Sequence, residues 1–275
     1  MQFAFSTLGC PDLSWEDMIV IAKDLEFDGI EVRGIGNELF VPKARPFSPE
    51  HIDSTMNRLN SLNLNIPCLT SACFLFDEKN SEAVIGEVRE YIKLASKLGV
   101  KYVRVLGDKS PQPEKAAEVT RAADAIGLVI KENLAKLLPF AMQQGVVLLI
   151  ETNGIYANSK TMLKLIDDVA HPNLQVLWDV HHTFRFYNES VDFTLDKLLK
   201  HIRFVHIKDS IMSDGKIKYK MMGKGDVPVA QALSKLSQLG YEGFVSLEWV
   251  KRWNMELEDP GIVFSHFINY VLKFK

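Results

Sequence analysis

SEAVIGEVREYIKLASKLGVKYVRVL, residues 81–106, decides how the rest of the chain is read. A helical period from Ser81 stops at Leu98-Gly99-Val100, and a short β-branched run, Tyr102–Leu106, follows. Glycine suits such a junction because a helix can end there in a left-handed turn without steric cost. The same unit of helix, glycine stop and strand recurs at Phe27-Asp28-Gly29 and Leu239-Gly240-Tyr241. Working outward, short apolar runs alternate with helical segments eight times along the chain. The expected strands are 3–6, 29–33, 65–70, 102–106, 146–151, 175–179, 204–207 and 244–248. Helices are expected to begin after Ser14, Ser48, Ser81, Pro113, Ser159, Glu189, Pro228 and Glu258, several opened by a serine that accepts a bond from a free helix N–H. Eight βα units in 275 residues point to an α/β fold, a single-domain (β/α)8 TIM barrel, which typically needs ~250 residues. The competing architecture, a doubly wound sheet, more often uses fewer strands. No linker-like stretch interrupts the series, so 1–275 is expected to form one domain.

Composition narrows the function. With 47% hydrophobic and 24% charged residues the chain is of ordinary globular type. Its longest apolar runs, such as 146–150, fall far short of the roughly 18 residues of a membrane span, and 1–11 lacks the charged start of a signal peptide. A cytoplasmic protein without a membrane partner is expected. Cys10, Cys68 and Cys73 are odd in number and lack metal-type spacing, which argues for a reducing compartment and idle thiols. A net charge of -3 from 32 basic and 35 acidic residues offers no general attraction to nucleic acid.

The chemistry is expected at four strand ends. The fifth to eighth apolar runs close on Glu151, Asp179, His206 and Glu248, separated by 28, 27 and 42 residues, about one βα unit each. In a barrel the C-terminal ends of the strands converge on one mouth, so these side chains would share a site. Three carboxylates and an imidazole form a mostly hard donor set suited to one divalent cation, Mn2+ first, with Mg2+, Co2+ or Zn2+ as alternatives. Singly, each acid reads as a rim charge and His206 as a core histidine. Together they need a cation, because clustered carboxylates repel one another.

Further motifs carry a family resemblance: Phe5-Ser6-Thr7-Leu8-Gly9-Cys10-Pro11, Asp28-Gly29-Ile30-Glu31-Val32-Arg33, Glu151-Thr152-Asn153, Asp179-Val180-His181-His182, His206-Ile207-Lys208-Asp209 and Leu247-Glu248-Trp249. They resemble the xylose isomerase-like TIM barrels, a superfamily of sugar phosphate isomerases and epimerases, ketose 3-epimerases, inosose isomerases and dehydratases, and endonuclease IV. The resemblance implies that Glu151, Asp179, His206 and Glu248 are metal ligands and that Glu151 and Glu248 also act as acid and base. The substrate would be a sugar, sugar phosphate or cyclitol passing through an enediolate, with a dehydratase or lyase outcome as the alternative. His182 matches a histidine of a D-x-x-H pattern that binds substrate or supports a metal ligand from behind, whereas strict strand alternation favours His181.

The connection after His206 holds an Asp214-Gly215 turn between Ile211 and Tyr219, read as a small hairpin with Lys218 and Lys220 on one face. Some relatives have a basic substrate-binding residue upstream of the Gly-x-Gly seen here as Gly223-Lys224-Gly225, which makes Lys220 a candidate; a solvated lysine is the plain alternative. Arg33 and Arg104 could reach the pocket, although a buried salt bridge accounts for either more simply. Trp15, Phe184, Trp249 and Trp253 follow strand ends and are candidates for an apolar wall, each alone reading as packing. No dinucleotide or P-loop fingerprint occurs. An endonuclease IV-like cluster would need histidines from the third and fourth strands, and none occurs between His51 and His171. A non-catalytic sugar-binding barrel would have no need of Glu151 and Glu248. The oligomeric state is not legible.

Overall fold

Most strands of the parallel sheet are buried along nearly their whole length instead of on alternate residues, as in Tyr102–Leu106 and Val147–Glu151, where only the first residue is partly exposed. Both faces of a parallel sheet covered by packed side chains produce this pattern. The computed structural model describes residues 1–108 and 116–274, with side chains excluded over 116–124. In chain order the strands are β1 (Gln2–Ser6), β2 (Gly29–Glu31), β3 (Leu69–Phe74), β4 (Tyr102–Leu106), β5 (Val147–Glu151), β6 (Leu174–Asp179), β7 (Ile202–Ile207), the hairpin arms β8 (Asp209–Ser213) and β9 (Lys216–Lys220), and β10 (Phe244–Leu247). The helices are α1 (Trp15–Asp24), α2 (Ile52–Ser61), α3 (Ser81–Leu98), α4 (Ala116–Gln143), α5 (Ser159–Val169), α6 (Val180–Tyr187), α7 (Val191–Leu198), α8 (Val229–Gln238) and α9 (Pro260–Val271). With the hairpin set aside, every strand leads into a helix, which is the (β/α)8 order.

One compact unit comprises Met1–Leu69 with Val205–Lys275. In it β1 runs parallel to both β2 and β10, with Phe5 in register with Ile30 and Leu247. Val32 bridges to Leu69, and the Glu248 N–H donates to the Ile207 carbonyl. Behind these strands Phe5 stacks on Phe264 of α9 at 4.3 Å, and Phe27 stacks on Phe267 at 5.9 Å. Truncating one such ring to alanine typically costs about 3–5 kcal/mol. The other unit is Thr70–Phe204. There β5 runs parallel to β4 and β6, with Ile150 in register with Val105 and Val176. The Asn133 amide of α4 donates to the Leu75 carbonyl (2.9 Å) and to Ser81 Oγ (3.0 Å), which ties α4 to the chain leaving β3.

Several local expectations need correction. Gly99 and Gly240 are left-handed (φ 68° in both), but at the first junction Glu26 takes that turn (φ 58°) and Gly29 is inside β2. Glycine is required there for another reason: a Cβ would stand 2.8 Å from the Asn65 carbonyl oxygen. The third strand is Leu69–Phe74, later than 65–70, because Pro67 has no N–H to give a ladder. Ser14 caps α1 in a full capping box. Ser48 instead opens a turn, and α2 begins at Ile52. Asn158 caps α5 and Ser190 caps α7. Glu189 instead accepts the Ser159 N–H at 2.8 Å. The start expected after Pro113 lies outside the described residues. The Asp214-Gly215 hairpin is present as β8 and β9. All three cysteines are buried free thiols. Among the described residues no helix is long and apolar enough to cross a membrane.

Candidate active site

In the Thr70–Phe204 unit two strand ends meet one histidine. Glu151 closes β5 and Asp179 closes β6, and both are buried. Asp179 doubles as the cap of α6: its Oδ1 accepts the His182 N–H at 3.0 Å, and its own N–H donates to Thr152 Oγ1 at 2.8 Å. That cap turns the chain so that His182 Nδ1 lies 3.3 Å from Glu151 Oε1 and 3.4 Å from Asp179 Oδ2. The same nitrogen is 3.1 Å from the Thr152 carbonyl, which can only accept, so Nδ1 carries the proton. The ring stacks on Phe186 at 5.3 Å and is half-buried. His182 is therefore the histidine beside the two acids, while His181 is fully buried next to it. Asp179, His181 and His182 also offer ligand atoms within 4.8 Å of one another, a second arrangement able to hold a cation.

Arg104 forms the salt bridge expected of it. Its Nε lies 3.1 Å from Glu151 Oε2, and its Nη1 donates to the Ser71 carbonyl at 2.7 Å. Two residues beyond β4, Asp108 accepts the Ile155 N–H at 3.0 Å, and burial raises its pKa from 3.8 to about 6. It was not singled out in the sequence as a functional residue.

In the unit of Met1–Leu69 and Val205–Lys275 a second cluster forms around His206, which is fully buried in β7. His206 Nε2 lies 3.0 Å from Glu31 Oε1 at the end of β2, and Nδ1 lies 3.4 Å from Glu248 Oε1 just past β10. Lys208, also buried, reaches the other oxygen of Glu248 at 2.5 Å. Glu31 and Lys208 were missed. Glu31 closes an apolar run just as the four ligand types do, and Lys208 is two residues from His206, on the same face of an extended chain. Asp209 accepts N–H bonds from Ser210, Gly223, Gly225 and Val227, folding the Gly-Lys-Gly segment back onto the hairpin base. Burial raises the Asp209 pKa against those four donors.

The remaining candidates separate. Lys220 is half-buried at the hairpin base, in register with Asp209, whereas Lys218 bonds Ser213 of its own turn. Arg33 is buried, its N–H donating to Thr7 Oγ1 and its guanidinium 6.0 Å from the Trp253 ring. Of the apolar wall, Trp15 packs on Phe47 and Trp249 donates to the Glu258 carbonyl, so both belong to the core. Trp253 is exposed and Phe184 half-buried.

A family model described as xylose isomerase-like TIM barrel matches residues 19–262. The chain belongs to this family. It is similar to fructoselysine 3-epimerase of Shigella flexneri, 23% identical over 95% of this chain and 94% of that one. Its fold matches the probable 3-DHS dehydratase AsbF of Bacillus anthracis, with a TM-score of 0.79, 17% identity and 99% of both chains covered. It also matches the IOLI protein described with a bound zinc atom, with a TM-score of 0.76, 18% identity, and 100% of this chain and 99% of that one covered. The family's (β/α)8 barrel is thus this chain's fold, and its curated relatives are sugar epimerases.

Proposed function

We propose that this single-domain barrel, residues 1–275, is a cytoplasmic, divalent-metal-dependent isomerase or epimerase of a sugar, sugar phosphate or cyclitol. Glu151, Asp179, His206 and Glu248 would hold the ion, Mn2+ first. The observation that carries the reading is that each unit gathers buried carboxylates and an imidazole at the C-terminal ends of its strands, the face on which barrels of this kind do chemistry. The donors suit a divalent cation, since the oxygens are hard ligands and His206 and Glu248 bring two ligand atoms to 3.4 Å. When bound, such an ion offsets the negative charge that grows on a carbonyl oxygen as the neighbouring C–H is lost. Glu151 and Glu248 are the acid and base: one takes the proton from carbon, and the other returns a proton to the opposite face or the adjacent carbon. His182, through Nε2, with Lys220 and Arg33 orients substrate hydroxyls. Arg104 and the Thr152 carbonyl keep Glu151 and His182 in place before substrate arrives.

Incubating ketoses, ketose phosphates and cyclitol ketones with the protein and Mn2+ in heavy water tests the reading. Deuterium beside the carbonyl, together with a new epimer or aldose, is expected for at least one substrate, and no conversion of any class would overturn the proposal. A second outcome is favoured by Lys208, whose buried ammonium on Glu248 could support loss of a β-hydroxyl. A dehydratase would yield a conjugated carbonyl product that absorbs in the near ultraviolet.

A further inference from the structure

His206 and Glu248 each have two atoms able to bind a cation, and in both residues one is already engaged by a buried neighbour. Glu31 holds His206 Nε2 at 3.0 Å, and Lys208 holds Glu248 Oε2 at 2.5 Å. The two other atoms, His206 Nδ1 and Glu248 Oε1, are 3.4 Å apart. Neighbouring ligands around an ion such as Mg2+ stand about 3 Å apart at metal–ligand distances near 2.1 Å. Among the described residues His206 is the only hydrogen-bond or ion-pair partner of the Glu31 carboxylate, so this buried acid serves the imidazole.

The structure assigns Glu31 and Lys208 as paired positioning residues: Glu31 fixes the tautomer of His206 so that Nδ1 faces the ion, and Lys208 occupies one oxygen of Glu248 so that Oε1 alone does. The inference rests on the proposed metal site. A carboxylate accepts and cannot donate, so Nε2 carries the hydrogen and the lone pair is left on Nδ1. Lys208 makes Glu248 a one-oxygen ligand and sets a positive charge beside the site. The two residues therefore act on metal affinity in opposite directions. Losing Glu31 removes the orientation of a ligand, a change that typically weakens binding 10- to 100-fold. Losing Lys208 removes a charge that repels a cation beside Glu248.

The test uses the full chain and Mn2+ alone. In chelator-treated protein labelled with 15N-histidine, long-range 1H–15N spectra at pH 8 should show the His206 signals, identified by their loss in His206→Gln, with the hydrogen on Nε2. The hydrogen on Nδ1 would overturn the assignment of Glu31 without any variant having to fold. Free Mn2+ counted by electron paramagnetic resonance should then report binding 10- to 100-fold weaker in Glu31→Leu, which has no acceptor for Nε2–H, unchanged in Lys208→Arg, and equal or tighter in Lys208→Met. Weaker binding in Lys208→Met, or wild-type binding in Glu31→Leu, would contradict the pairing. If the wild-type protein takes up no Mn2+, Co2+ or Zn2+, the metal-site reading itself fails, a result distinct from a wrong tautomer.

Discussion

Two histidines of this chain are held by opposite nitrogens. His182 gives its Nδ1 hydrogen to the Thr152 carbonyl, which leaves Nε2 as its acceptor, and its side chain is 14% exposed. His206 has Nε2 against Glu31 and Nδ1 toward Glu248, and its side chain is wholly buried. Their surroundings otherwise correspond: each lies beside two acids, and in each cluster one acid is held by a buried cation, Arg104 on Glu151 and Lys208 on Glu248. Equal ingredients thus produce unequal roles. A wholly buried ring with a carboxylate behind it suits a fixed ligand, and a ring with an edge open to solvent and stacked on Phe186 suits a contact made and broken with each substrate.

The largest expected effect tests whether the two clusters share the chemistry. Glu151→Gln and Glu248→Gln should each slow turnover of an identified substrate by 10²- to 10⁴-fold, because amides cannot take a proton. A wild-type rate in either variant would confine catalysis to one cluster. Next come the cations. Arg104→Met leaves Glu151 buried without that partner and removes the donor to the Ser71 carbonyl, so urea unfolding of the metal-free protein should lose about 3–5 kcal/mol. Lys208→Met should lose less, because its partner Glu248 is 9% exposed where Glu151 is 3% exposed, so water can offset more of the lost ion pair. Reversal of that order would show that the guanidinium anchor is not what stiffens the first cluster. Smaller again, His182→Asn should raise KM by roughly tenfold, equivalent to one hydrogen bond of about 1.4 kcal/mol, and leave Mn2+ affinity unchanged. Loss of Mn2+ from that variant would make His182 a ligand and erase the contrast with His206.

The subtlest effect is on pH. Each cluster has a buried aspartate nearby, but Asp209 accepts four backbone N–H bonds where Asp108 accepts that of Ile155. Burial holds the Asp108 pKa near 6, above its ordinary 3.8, so the folded chain keeps this proton more tightly than the unfolded one. The resulting stability is full below about pH 4 and is lost as pH rises through 6. Asp108→Asn should therefore melt higher than wild type at pH 7, with the difference vanishing near pH 4. Parallel melting profiles across that range would rule out Asp108 as the titrating group.

Glu151, Asp179 and His206 were legible because each follows an apolar run; the first two end β5 and β6, whereas β7 runs one residue past His206 to Ile207. Glu31 obeys the same rule, but Val32 prolongs the apolar character of the sequence and moves the expected strand end to Arg33. β2 in fact stops at Glu31, and Val32 forms only an isolated bridge to Leu69. α6 was invisible for a different reason. Its eight residues, VHHTFRFY, are mostly weak helix formers, and the signal that starts it is Asp179, already claimed as a strand end. One side chain there ends a strand, caps a helix and turns His182 toward the acids. Lys208 carries no signal of its own within His206-Ile207-Lys208-Asp209, since strand alternation reveals which face it shares with His206 but not that Glu248 lies in reach.

The central claim is a single divalent ion held by Glu151, Asp179, His206 and Glu248. Its most direct test is elemental analysis of the protein purified without chelator, run beside Asp179→Asn and His206→Gln. The account predicts about one Mn2+, Zn2+, Co2+ or Mg2+ per wild-type chain and a clear loss in both variants. Wild-type metal content in the two variants, or no divalent metal bound by wild type even after Mn2+ is supplied, would contradict it.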